Sequence, residues 1–360
     1  MKNFITDGFS LTSLAFNPKE FEPLVDEYKM VGGINSEIRY LELPDGAVHV
    51  QARYGAKKGG FSYDEAVLMA GQLKTYQELL ETNSVSLPSI ENISVEHDLF
   101  SDRAIVIKTS AWTGYDLASL LKREVVARDD TLVRKMVHEM CQLLVPLCKN
   151  RYSGWEVEVG VDARSSNFTL DKDGKIWFID LFPPRYRVKG VPMVEWPAPK
   201  TESGRQLGLF KHFDVRGIAL CAIAQLSRVK PKLRTLFEEE VARTLSKAMS
   251  ATERSQFLAA FANLPWKQVR AQLLKREPFH QEAFLSLLHM RVFDLDYGVY
   301  LYREIALEFA MLGFISEEEL EAFFAMSHFE DLLSDTQIHK IESSLLDMLH
   351  RVNAAYEHSK

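Results

Sequence analysis

The stretch Gly160-Val161-Asp162-Ala163-Arg164-Ser165-Ser166-Asn167, with Ile176-Trp177-Phe178-Ile179-Asp180-Leu181-Phe182 close behind it, decides how this chain is read. Asn167 follows Asp162 by five positions, and Asp180 follows Asn167 by thirteen. Phe168-Thr169-Leu170 predicts a short strand, Asp171-Lys172-Asp173-Gly174 its turn, and Lys175 to Ile179 the antiparallel return. That hairpin delivers Asp180 beside Asn167, so two carboxylates and an amide converge from one local element. A carboxylate that can orient or deprotonate a hydroxyl, with an amide and a carboxylate that can hold magnesium, is the donor set phosphoryl transfer from ATP requires.

The same residues resemble the catalytic loop and metal-binding motif of the protein-kinase-like fold. They are most similar to its aminoglycoside phosphotransferase and choline kinase branch, whose pattern is His-Gly-Asp, four residues, Asn, then an apolar strand ending in Asp. The likeness is strong over 160–182 and extends over roughly 30–230 in element order. Two departures stand out. Gly160 occupies the place of the family's His, which supports the loop, and Phe182-Pro183-Pro184 follows the second aspartate, giving a rigid start to the next segment. The resemblance implies an α+β, two-lobed fold with a small antiparallel-sheet N-lobe, a large helical C-lobe and extra C-terminal helices. It implies Asp162 as catalytic base, and Asn167 and Asp180 as magnesium ligands.

Working outward, the flanking sequence follows the implied order. Ile38–Leu43 and Val48–Tyr54 alternate about Pro44-Asp45-Gly46, after Val31-Gly32-Gly33-Ile34-Asn35. In a kinase-like chain Gly32 and Gly33 start the phosphate-covering loop; a plain turn explains them equally well. The 48–54 strand should deliver a phosphate-binding cation, and it contains no lysine. Arg53 is the candidate, with Lys57 and Lys58 as alternatives on the next loop. Tyr63–Glu81 predicts a helix capped by Ser62 with Glu65 as its box partner. Glu65 and Glu78 are the candidates for a glutamate that orients the cation.

Strands are expected at Ser89–Val95 and Ala104–Thr109. Backbone around Ile107, Lys108 and Thr109, leading to Ser110, would form the hinge that meets an adenine. Val133, Met136, Val137, Met140, Leu143, Leu144 and Leu147 recur at helical spacing through a helix over Asp130–Asn150, just before the catalytic loop. Beyond Asp180, the cations Arg185, Arg187 and Lys189 form either a solvated loop or an anionic-substrate site. Asp214 resembles an aspartate that supports the catalytic loop in kinase-like folds; a simple first-turn aspartate, favourable to the helix dipole, is the alternative. From Pro231 the chain reads as nearly all helix. The organisation expected is 1–109 as N-lobe, 110–230 as catalytic core and 231–360 as a helical acceptor-binding extension.

Composition excludes several classes. The chain has 360 residues, 46% hydrophobic and 26% charged, enough for a sizeable core. A net charge of −7 without a long basic tract argues against nucleic-acid binding. No run reaches the ~18 apolar residues of a membrane span, and Met1-Lys2-Asn3-Phe4 lacks the apolar core of a signal peptide. Cys141, Cys148 and Cys221 sit in apolar helical patterns, which fits buried thiols and a reducing, cytoplasmic setting. The expectation is an ATP- and magnesium-dependent kinase of a small-molecule hydroxyl. The alternatives are a nucleotide-binding pseudokinase or regulatory protein without turnover, and a purely structural interaction protein.

Overall fold

The computed structural model describes residues 36–42, 47–98, 103–193, 199–327 and 333–358. Gly32 and Gly33 lie outside the described residues, as does the Pro44-Asp45-Gly46 turn. The contacts divide the chain into two compact units, 1–193 and 194–360.

The first unit is built on a four-stranded antiparallel sheet of β1 (Ser36–Glu42), β2 (Val48–Tyr54), β3 (Ile90–Asp98) and β4 (Arg103–Ala111), in the order β1-β2-β4-β3. Helix α1 (Tyr63–Thr82) connects β2 to β3 and starts at the full Ser62/Glu65 capping box read from the sequence. Ala66, Ala70, Leu73, Tyr76 and Leu80 form its buried face. Along β4 the even-numbered residues from Ala104 to Ser110 are all buried, as period-two alternation requires of the strand's inner face. Ala52 pairs with Lys108 and Tyr54 with Val106, so these four share that inner face. Arg53 and Ile107 pair on the opposite one.

Here the structure corrects the expected hinge. Strand β4 runs on to Ala111, and Ile107, Lys108 and Thr109 are paired with β2 on one side and β3 on the other. A strand held on both edges has its backbone N–H and C=O groups committed to the ladders, so these three residues cannot offer them to an adenine. The chain leaves the sheet after Trp112, whose N–H still donates to the Val48 carbonyl at 3.0 Å.

After β4, the short strand β5 (Tyr115–Asp116) precedes the Leu117–Leu121 helix, capped by Asp116. The Asp130–Lys149 helix then leads to a small hairpin, β6 (Arg151–Ser153) and β7 (Glu156–Val157). Next come β8 (Phe168–Leu170) and β9 (Ile176–Phe178), which join β5 in a three-stranded sheet ordered β5-β8-β9. A last hairpin, β10 (Arg187–Val188) with β11 (Val191–Pro192), ends the unit. Gly114, at the entry to β5, has φ +96°, and a Cβ there would lie 2.0 Å from the Leu170 carbonyl oxygen. Gly114→Ala therefore meets both a backbone penalty of about 1–3 kcal/mol and a clash, and chemical denaturation should report a loss of at least that size.

The regular elements of the second unit are helices, with one isolated bridge from Val292 to Leu295 among the described residues. Asp214 caps the Val215–Val229 helix by accepting from the Arg216 N–H at 2.8 Å, while the Arg216 guanidinium holds both its oxygens. Asp214 is thus the N-cap of this helix, one position before the first turn expected of it. The centre of the unit is ionic. Arg234, fully buried, reaches Glu308 and Glu304, both at 2.7 Å, and Arg270 bridges Glu308 at 2.5 Å and Glu238 at 2.8 Å. These groups come from the Arg234–Leu245, Pro265–Leu274 and Val299–Met311 helices. Burial pushes the Glu304 carboxyl up in spite of the arginine beside it. Arg234→Met removes one partner and leaves buried carboxylates undercompensated. Urea unfolding should show a loss of about 3–5 kcal/mol.

Candidate active site

The hairpin read from the sequence forms, and local chemistry fixes it. Asp171 Oδ1 accepts from the N–H groups of Asp173 and Lys175, both at 2.9 Å, while its other oxygen accepts from Trp177 Nε1 at 2.8 Å. The turn is thereby locked and Phe168 pairs with Phe178. One step further, the Ile179 N–H donates to the Asn167 carbonyl at 3.0 Å, so Asp180 emerges beside Asn167.

The side chains then meet. Asn167 Nδ2 donates to the Asp162 carbonyl oxygen and to Asp180 Oδ2, both at 3.1 Å. The other Asp180 oxygen accepts from the Phe182 N–H at 3.2 Å. Arg185, buried, lies across both carboxylates, 3.5 Å from Asp162 Oδ2 and 3.8 Å from Asp180 Oδ2, and donates to the Pro183 carbonyl at 3.0 Å. Arg164 Nε lies 3.2 Å from Asp162 Oδ2. Phe182-Pro183 is a cis peptide.

The loop carrying Asp162 is held from two sides. Val159 bridges to Tyr186, and the Gly160 N–H donates to the Arg185 carbonyl at 2.8 Å. From α1, the Tyr76 hydroxyl donates to the Gly160 carbonyl at 2.8 Å, with its ring roughly parallel to that of Tyr186. The resemblance leads one to expect a histidine as loop support here, and a tyrosine from α1 grips the glycine instead.

Burial governs the electrostatics. It pushes the Asp180 carboxyl above the usual carboxylate range, opposed by the Arg185 guanidinium and assisted by the Asp162 charge. It also pushes the Lys108 ammonium down to about 8, opposed by Asp180. Lys108 Nζ donates to the Ile179 carbonyl at 2.8 Å. Sequence reading missed this lysine as a side chain of the site. The signal was available in the alternation of Ala104, Val106, Lys108 and Ser110, which puts a cation on the buried face.

Other expected residues lie elsewhere. Arg53 is on the outer face of the sheet, bidentate to Glu96 at 3.0 and 3.1 Å and 3.5 Å from Glu37, in an open groove with Arg39 and Arg103. It is not the cation beside Asp180, because the two-residue period turns it away from the face that Tyr54 and Lys108 share. Glu65 is spent on the Ser62 cap and Glu78 is exposed, so neither orients a cation at Asp180. Arg187 clamps the two small hairpins together through Glu156, the Val157 and Gly190 carbonyls and the Tyr152 ring. Lys189 is exposed at the tip of the β10–β11 hairpin. Of the three post-hairpin cations, only Arg185 reaches the carboxylates.

The donor set fits a hard divalent cation. The Asn167 amide uses its nitrogen on the Asp162 carbonyl and Asp180 Oδ2, which leaves Oδ1 as its acceptor end. One amide and one or two carboxylates suit magnesium, which keeps water and phosphate oxygens in its shell. Among the described residues there is no cluster of three or more His, Cys, Asp and Glu side chains that could hold a metal by itself. No described helix is long and apolar enough to cross a membrane.

Sheet order, the helix between β2 and β3, and the loop-hairpin that follows the Asp130–Lys149 helix give a mixed α/β chain with a small antiparallel sheet and a large helical C-terminal part. No family model and no curated protein matches the sequence. Among solved structures the chain is similar to the amicoumacin kinase hAmiN in complex with AMP-PNP, Ca2+ and Ami, at 7% identity and TM-score 0.42, over 98% of this chain and 96% of that one. It is also similar to WaaP in complex with acyl carrier protein, at 14% identity and TM-score 0.41, over 71% and 92% of the two chains. A third is the pseudokinase domain of BIR2, an immune regulator of the RLK/Pelle family, at 12% identity and TM-score 0.37, over 88% and 90%.

Tyr76→Phe tests the grip on the loop. It strips the Gly160 carbonyl of its donor in a buried setting, and thermal and urea unfolding should show a cost of about 1–3 kcal/mol.

Proposed function

We propose that this chain is an ATP- and magnesium-dependent phosphotransferase whose acceptor is a hydroxyl of a small molecule. The observation that carries this reading is the convergence of Asp162, Asn167 and Asp180, with the Asn167 amide bonded to the backbone of the first aspartate and the carboxylate of the second. Asn167 Oδ1 and the Asp180 carboxylate would hold magnesium, which when bound neutralises charge on the nucleotide's phosphate oxygens. Asp162 orients the acceptor hydroxyl and takes its proton at a carboxylate oxygen. Arg185, lying across both carboxylates, fixes their positions and offsets their mutual repulsion. Asp162 is buried and Asp180 partly so, which strengthens the charge interactions there.

A second reading, a nucleotide-binding protein without turnover, draws on one observation. The Asp162 carboxylate is engaged by two guanidinium groups, Arg164 and Arg185, which compete with an acceptor hydroxyl for its oxygens.

Calorimetric titration of the wild type and Asp180→Ala with ATP, with and without magnesium, tests the proposal. Magnesium-dependent binding is expected in the wild type and its loss in the variant. Asp162→Asn should bind nucleotide as the wild type does and lose on the order of 10²–10⁴-fold in turnover. Equal turnover by Asp162→Asn would remove that residue from the chemistry, and wild type indifferent to magnesium-ATP would overturn the phosphotransferase reading.

A further inference from the structure

Strand β2 has no cation on its inner face. Those positions are Val50, Ala52 and Tyr54, and the Tyr54 ring stacks on Phe182 with centroids 4.6 Å apart, two residues beyond Asp180. The buried face of α1 is equally bare of carboxylates, being Ala66, Ala70, Leu73, Tyr76 and Leu80. A lysine–glutamate pair supplied by a strand and the following helix is therefore absent from the described inner faces.

Lys108 occupies the position directly across from Ala52, on the central strand β4. It is 4% exposed, and its ammonium donates to the carbonyl of Ile179, the residue immediately before Asp180. Burial lowers its proton affinity, and the Asp180 charge opposes that fall. An ammonium has three donors, and the Ile179 carbonyl takes one. Burying a lysine to make a single hydrogen bond is costly, and a tether for Ile179 alone would not need a charge. Phosphate oxygens brought to Asp180 would meet the remaining donors.

We propose that Lys108, delivered by β4 instead of β2, is the cation that holds the nucleotide's phosphate oxygens, with Asp180 as its counter-charge and Tyr54 filling the vacated strand position. The assignment rests on the phosphotransferase reading above. It differs from a structural role for Lys108 in being specific to phosphate: the lysine contributes to binding of ATP and not to binding of the nucleoside.

The test is calorimetry of wild type, Lys108→Met and Arg53→Met, each with magnesium and AMP-PNP and, separately, with adenosine. Methionine matches the length of the lysine stem, and a thermal melt of each variant checks that it is folded. Loss of charge-assisted hydrogen bonds should weaken AMP-PNP binding by Lys108→Met about ten- to a hundredfold, with adenosine binding unchanged. Arg53→Met should bind both ligands as the wild type does. An equal loss for both ligands in Lys108→Met would make the lysine a structural tether and overturn the proposal, as would no loss, or a loss confined to Arg53→Met. Wild type that binds neither ligand would overturn the nucleotide reading itself, and the lysine assignment with it.

Discussion

The Asn167 side-chain amide is the joint on which the site depends. One NH2 group faces two oxygens that belong to different segments: the backbone carbonyl of Asp162 and the carboxylate of Asp180. Its own backbone carbonyl takes the Ile179 N–H. Loop and strand end are thus sewn together at a single residue, and an aspartate could not do the same, because an ionised carboxylate has no donor. Everything upstream serves to bring the two segments to this joint: the Asp171-bonded turn, the Phe168–Phe178 pairing, and the grip of Tyr76 on Gly160.

The charges around that joint are close to mutually dependent. Asp162 and Asp180 repel, and burial makes each charge more costly. Arg185 lies across both, Arg164 reaches Asp162, and Lys108 approaches Asp180 from the sheet. Lys108 meets the converse problem, since burial lowers its proton affinity while Asp180 restores part of it. Two carboxylates among three cations carry a net positive formal charge. An anion with several oxygens complements that arrangement better than a neutral ligand does.

Local chemistry made the 160–182 segment legible: a turn aspartate, short apolar strands and fixed spacing act over a few residues, and the sequence displays all three. The capping box at Ser62 was legible for the same reason. The faces taken by Arg53 and Lys108 follow a simple rule. In a strand with one buried face, the period of two decides which side chain points where, and the run Ala104, Val106, Lys108, Ser110 had already put the lysine inside. The extent of β4 was hidden, because its last pairs are made with Val50 and His49 some sixty residues away. The Arg234–Glu304–Glu308–Arg270 network was not legible either. Its members lie on three helices spread over 75 positions, and each alone reads as a solvated helix charge.

The departures from the family pattern are better understood together than singly. Gly160 stands where a histidine would support the loop, and α1 has a tyrosine, Tyr76, on its buried face where a carboxylate would face a strand cation. These are two ends of one hydrogen bond. A tyrosine reaching from α1 makes a loop histidine unnecessary, and it uses the helix face on which a glutamate would otherwise be needed. Without that glutamate, a cation on β2 would be buried unpaired. In this chain the inner position of β2 is instead an aromatic, Tyr54, stacked on Phe182. A buried cation stands on β4, where Lys108 donates to the carbonyl of Ile179, the residue before Asp180. Each replacement thus removes the physical requirement that the next one would have violated. The result is a site whose buried charges are compensated by a different wiring of the same elements.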